Sequence, residues 1–151
     1  MFKKMTYLRW LTALVTGLFL MSGAFVSAQG NDRNIAGSAV TAVTTSYTAG
    51  ATNVLNFKTT IVPNDGEWVG QVNLDFPTGV TVVSATVMQA GLDWLNYQGQ
   101  TGNGANPTWV APSYGNYLVG GSVAPFTVTV NIDPSFTGDL TVGYSIIGEV
   151  Y

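Results

Sequence analysis

FTVTVNIDPSFTGDLTVGYSII, residues 126–147, is the stretch whose pattern decides the fold. Phe126, Val128, Val130 and Ile132 alternate with Thr127, Thr129, Asn131 and Asp133, and Leu140, Val142, Tyr144 and Ile146 repeat the alternation further on. A period of two puts one face in an apolar core and the other in water, which is the pattern of half-buried β-strands and not of amphipathic helices. The connector DPSFTGD carries Pro134 and Gly138, turn residues that let the two strands fold back antiparallel.

Working outward, LNFKTTI (55–61) sends Leu55, Phe57, Thr59 and Ile61 to one face. In EWVGQVNLDF (67–76) the same reading sets Trp68, Val72, Leu74 and Phe76, with Gly70, against Val69, Gln71, Asn73 and Asp75. Pro63-Asn64-Asp65-Gly66 between them is turn chemistry, read as a hairpin or as a corner between sheets. VTVVSATVMQ (80–89) is rich in β-branched residues and reads as one long strand. Weaker candidates are 39–47, 94–98, 108–110 and 114–119, for seven to nine strands in all. Recurrent Gly and Pro leave no helical window behind the leader. The expected fold is all-β, a two-layer antiparallel immunoglobulin-like sandwich over 39–151, with a jelly roll or up-and-down barrel as the alternative.

The first 28 residues read differently. Lys3, Lys4 and Arg9 precede an apolar run from Trp10 to Leu20, and Val26-Ser27-Ala28 offers small residues for a cut. This is the layout of a cleavable secretory signal peptide, helical as an apolar leader, followed by a flexible mature terminus over 29–38. An uncleaved membrane anchor is the competing reading, because 10–28 approaches the ~20 residues that span a bilayer. With no cysteine in the chain, neither a lipid anchor at the cut nor a disulfide framework is available. The expected location is secreted or at the cell surface.

Removing the leader leaves Arg33 and Lys58 against eight acids, a net charge of −6. Such a surface has little with which to neutralise phosphates, so nucleic acid is excluded as a partner, and membrane contact is expected only through an uncleaved leader. Catalysis is disfavoured too. Without histidine there is no Ser-His-Asp or Cys-His arrangement, and the acids lie mostly beside turns or on wet strand faces instead of facing one another across a cleft.

Two candidate sites remain. Trp94, Tyr97, Trp109, Tyr114 and Tyr117 are concentrated among glycines in 91–121, where loop aromatics could stack on sugar rings; the competing reading makes Trp94, Tyr97 and Trp109 ordinary core-closing residues. Asn64, Asp65 and Glu67 offer hard oxygen ligands for calcium, although Asn64-Asp65-Gly66-Glu67 is more simply explained as a turn. No other cofactor is expected.

The succession Tyr47-Thr48-Ala49-Gly50, LNFKTTI, DGEWVGQVNLDFPTGVTVVSAT, residues 97–104 and FTVTVNIDPSFTGDLTVGYSIIGEVY resembles the immunoglobulin-like modules of large secreted cell-surface proteins in Bacteroidetes. Those modules stand beside adhesin-like or catalytic domains and a type IX sorting domain. The resemblance implies adhesion, spacing or domain support, with surface proteins, neighbouring domains or glycans as partners, and supplies no catalytic residues. It also implies a chain that is the first module of a longer protein. A stand-alone sandwich, or a filament subunit assembling by β-strand addition through its terminal strand, are the other expectations.

Overall fold

The computed structural model describes residues 16–27, 35–62 and 67–149. Its strands are β1 (Thr16–Ser27), β2 (Ala39–Ala42), β3 (Ser46–Thr48), β4 (Thr52–Thr60), β5 (Trp68–Asp75), β6 (Val80–Ala85), β7 (Met88–Ala90), β8 (Asp93–Thr101), β9 (Asn106–Val110), β10 (Val123–Ile132) and β11 (Leu140–Glu149). They form two layers. One sheet runs β3-β1-β11-β5-β9-β8-β7 and the other β2-β4-β10-β6. Every pairing is antiparallel except β1 with β11.

The alternation read from the sequence sets the core. Leu55, Phe57 and Thr59 of β4 and Ala124, Phe126, Val128, Val130 and Ile132 of β10 are buried from one layer. Val72 and Leu74 of β5, Trp109 of β9 and Leu140, Val142 and Ile146 of β11 meet them from the other. Phe126 lies at the centre, stacked on Phe57 with ring centroids 5.2 Å apart and met edge-on by Trp109 at 5.0 Å.

Connectivity departs from the expectation in a consistent way. β10 and β11 do not pair with each other: β10 lies between β4 and β6, and β11 between β5 and β1. The connector with Pro134 and Gly138 is therefore a crossing from one sheet to the other. β4 and β5 likewise belong to different sheets and do not pair as a hairpin; residues 63–66 between them lie outside the described residues. The single long strand expected over 80–89 is broken at Thr86-Val87 into β6 and β7, one in each sheet, and 39–47 divides in the same way into β2 and β3. Residues 114–119 form no strand, only one bridge from Leu118 to Val69. Among the described residues of 39–151 there are ten strands, more than the seven to nine expected, because pieces of three or four residues are too short to show a period; β1 is an eleventh.

One face assignment also changes. β5 pairs Gly148 with Val69 and Ile147 with Gln71, so Gly70 is an unpaired extra residue. A glycine in a strand interior often marks such a bulge, which reverses the faces beyond it. Val69 is thus fully buried, and Trp68 turns to the outer face.

The leader was expected to be helical, and here the structure corrects the reading. Residues 16–27 form β1, parallel to β11 from Phe19↔Leu140 to Ser27↔Ile147 and antiparallel to β3 from Thr16↔Thr48 to Leu18↔Ser46. An apolar run carries no period that separates helix from buried strand, and a slot between two strand edges satisfies its backbone groups on both sides. The basic end and Ala28 lie outside the described residues. Among the described residues no helix is long and apolar enough to cross a membrane. Of the stretch expected to be flexible, 35–38 is held in place: Ile35 is fully buried, and the Val62 amide donates to Ser38 Oγ at 2.9 Å.

Tyr47 ties β3 to the β10–β11 crossing by donating its hydroxyl to the Gly138 carbonyl. Burial, and secondarily the charge of Asp139, raise its pKa above the ordinary 10.0, and burial raises that of Tyr97. The folded state therefore holds these protons more tightly than the unfolded chain. That contribution is complete below pH 10 and is lost as pH climbs through the raised values. Urea melts should show stability falling above about pH 10, with a shallower fall in Tyr47→Phe; an unchanged slope in that variant would dissociate Tyr47 from the effect.

Candidate functional site

The five aromatics singled out from the sequence do not form one binding platform. Trp109 is 0 % exposed, donates its indole N–H to the Thr86 carbonyl at 2.8 Å, and packs on Tyr97 at 5.6 Å. As a sugar-stacking residue it is a misassignment: its place on β9 points it between the sheets, and the core-closing reading describes it. Tyr97 is half-buried on the same side and donates its hydroxyl to Gln100 Oε1. Tyr117 is 8 % exposed, held by the paired Val69–Leu118 hydrogen bonds, with its ring 5.6 Å from Trp68. Tyr114 is the exposed one, at 78 %, edge-on to Tyr117 at 6.2 Å. Trp94 is half-buried on β8, opposite Gln89 of β7.

What the fold does assemble is a trough on the outer face of the seven-stranded sheet, lined by polar side chains and also by Leu74, Phe76, Pro77 and Tyr144. The registers put Gly99, Thr108, Asn73 and Ser145 in one row across β8, β9, β5 and β11. The next row holds Thr101, Asn106, Asp75 and Gly143. Side chains lock these rows together. Gln71 donates to Asn73 Oδ1 at 2.9 Å, Asn73 to Ser145 Oγ at 2.9 Å, and Asn106 to Asp75 Oδ1 at 2.6 Å. Gly99 and Gly143 leave gaps where other residues would raise a side chain, and the depression has a volume of about 710 Å³.

The polar chemistry of this trough is narrow. Amides and hydroxyls are each able to donate or accept, and Asp75 adds one acceptor of charge-assisted bonds. Asp75 is the one carboxylate among its lining residues, and there is no basic one. Lys58, the sole basic residue among those described, is on β4 in the opposite sheet. At one end of the face the Gly70 bulge brings out Trp68, and the register places Trp94, two residues beyond Asn96, at that same end. The sequence reading gave β5 its wet face of Gln71, Asn73 and Asp75 but missed Asn106, Thr108 and Ser145 as its companions, since adjacency of strands is not written in any one of them.

Of the three calcium candidates only Glu67 falls among the described residues. Glu67 is fully buried, its carboxyl in the space left by Gly148, where a Cβ would come within 1.9 Å of Oε1; Asn64 and Asp65 lie outside the described residues. Among the described residues no group of three acids or other ligands is positioned for a metal.

No protein-family model and no curated protein matches the sequence. Among solved structures, the chain is similar to the chitin-binding domain of a Pyrococcus furiosus chitinase, at 21% identity over 72% of this chain and 84% of that one, with a TM-score of 0.38. It is similar to a non-cellulosomal cohesin from Archaeoglobus fulgidus, at 15% identity over 88% and 91%, TM-score 0.34. A chain of a type I cohesin–dockerin complex from Clostridium thermocellum aligns at 11% identity over 91% and 96%, TM-score 0.42. Likenesses this distant carry no functional argument.

Proposed function

We propose that this chain is an exported, non-catalytic binding module whose outer sheet face receives a neutral, hydroxyl-rich polymer, that is, a glycan chain. The observation that carries the reading is the locked amide network Gln71–Asn73–Ser145 beside Asn106–Asp75 in a trough without a basic side chain. Sugar hydroxyls both donate and accept, and preset amides and hydroxyls meet them without a further ordering cost. Phosphate or uronate ligands would call for a cation that the trough does not hold. A single carboxylate supports the non-catalytic reading, since glycoside hydrolysis uses a pair. The leader and the resemblance to surface modules support export to the cell surface, where such a module would serve adhesion.

Affinity electrophoresis through gels of hydroxyethyl cellulose, xylan and laminarin, with pull-down on insoluble cellulose and chitin, tests this. At least one polymer should retard the protein. Asn73→Ala, at a half-exposed position, should weaken that retention at least about tenfold, equivalent to ~1.4 kcal/mol, with an unchanged thermal midpoint. Folded protein that none of these polymers retains would overturn the glycan assignment.

A further inference from the structure

β1 occupies a slot whose two walls belong to the rest of the domain. β11 pairs with it over seven residues, and among the described residues β3 has it as its sole ladder partner. Yet β1 lies within the segment that the sequence reads as the removable leader, which ends at Ala28. When the leader is cut away, β11 becomes a bare edge beside β5 and β3 loses its ladder. That edge, LTVGYSIIG over 140–148, has neither a charge nor a proline, the devices by which exposed sheet edges resist pairing. With β1 seated, Leu140, Val142 and Ile146 are fully buried and Tyr47 nearly so.

Residues 29–151 have little with which to fill the slot themselves. Strands β2 to β11 are all committed to ladders, and the stretches between Ala28 and β2 or between β4 and β5 are short or polar, with Asp32 and Arg33 in the first. A second copy is limited in the same way.

We propose that cleavage opens the β3–β11 slot to an extended segment of a different polypeptide, about ten residues long, uncharged and apolar, which lies parallel to β11 as β1 does. Backbone pairing to an open edge supplies affinity without demanding a particular sequence, and the burial of the inner β11 residues selects for apolar ones. Residues 16–27 act as a placeholder that keeps the edge covered until export. The inference rests on leader removal, not on the glycan reading.

The test uses the protein exported and processed by a bacterial host beside the same chain made without export, with intact mass reporting cleavage after residue 28. The probe is a synthetic peptide of residues 16–27 bearing a terminal lysine tag and fluorophore, with a scrambled version as control. Processed protein should bind the peptide one to one, at least tenfold tighter than the scrambled control, and the uncleaved chain should bind neither. The chain contains no cysteine, so Ser145→Cys should form a disulfide with a peptide carrying Phe25→Cys, its register partner, whereas Thr108→Cys on β9 should not. Should the processed chain be unfolded alone, recovery of cooperative melting with the peptide and not with the scramble is the same result. An exported chain that keeps its leader, a processed chain that self-associates, or one in which the 140–147 amides that point away from β5 are protected from exchange without peptide would each overturn the proposal, while retention on glycan gels would be unaffected.

Discussion

Trp109→Ala should cost about 3–5 kcal/mol of stability, the range for truncating a buried large aromatic. The ring is fully excluded from water, joins β9 to Phe126 of the opposite sheet, and satisfies the Thr86 carbonyl at the break between β6 and β7. Alanine empties that volume and removes the donor to the Thr86 carbonyl. Against a typical total of about 5–15 kcal/mol, the variant should melt far lower or fail to fold. Trp109→Phe separates the two causes, since it keeps much of the ring contact and loses the hydrogen bond, at about 1–3 kcal/mol. Tyr114→Ala is the matched control, expected within about 0.5 kcal/mol of the parent because its ring is mostly in water. Urea denaturation of the three variants checks the order.

Phe57→Ala should be comparably damaging, at about 3–5 kcal/mol. Phe57 stacks on Phe126 at 15° between planes and meets Phe76 edge-on at 6.4 Å, so it joins two strands within its own sheet and reaches the other layer. Because Phe57 and Trp109 both rest on Phe126, the two truncations should not be additive: a coupling of about 0.5–3 kcal/mol is expected for residues sharing a packing partner. A double-mutant cycle in a background stable enough to melt cooperatively measures it. Strict additivity would mean that the two sides of Phe126 relax independently.

Much of this core could be read directly. Phe126 to Ile132 and Leu140 to Ile146 face inward as their alternation indicates, because an isolated strand needs only its own period to choose a face. Partnership is different in kind. That β10 and β11 belong to separate sheets follows from where the crossing at 133–139 leads, and no local propensity records that. Gly70 shows how one residue suffices to invert a face: the alternation of EWVGQVNLDF is regular, and the bulge that exposes Trp68 exists only in the pairing with β11.

The trough was not legible in the sequence as a site. Aromatics in a glycine-rich stretch drew attention to 94–117, yet Trp109 and Tyr117 are spent on the core and on the Leu118 bridge. The residues that do converge, Asn73, Asn106 and Ser145, are more than thirty positions apart and individually look like ordinary wet strand faces. Their convergence arises from register across three strands, which is a non-local property.

Titration of 15N-labelled protein with cellohexaose, xylohexaose and laminarihexaose tests the outer-face assignment most directly. At least one of them should shift the side-chain amides of Gln71, Asn73 and Asn106 together with the backbone amides of Thr108, Gly143 and Ser145. Shifts confined to the Tyr114–Leu118 loop or to the sheet face around Lys58, or the absence of any shift with all three, would contradict it.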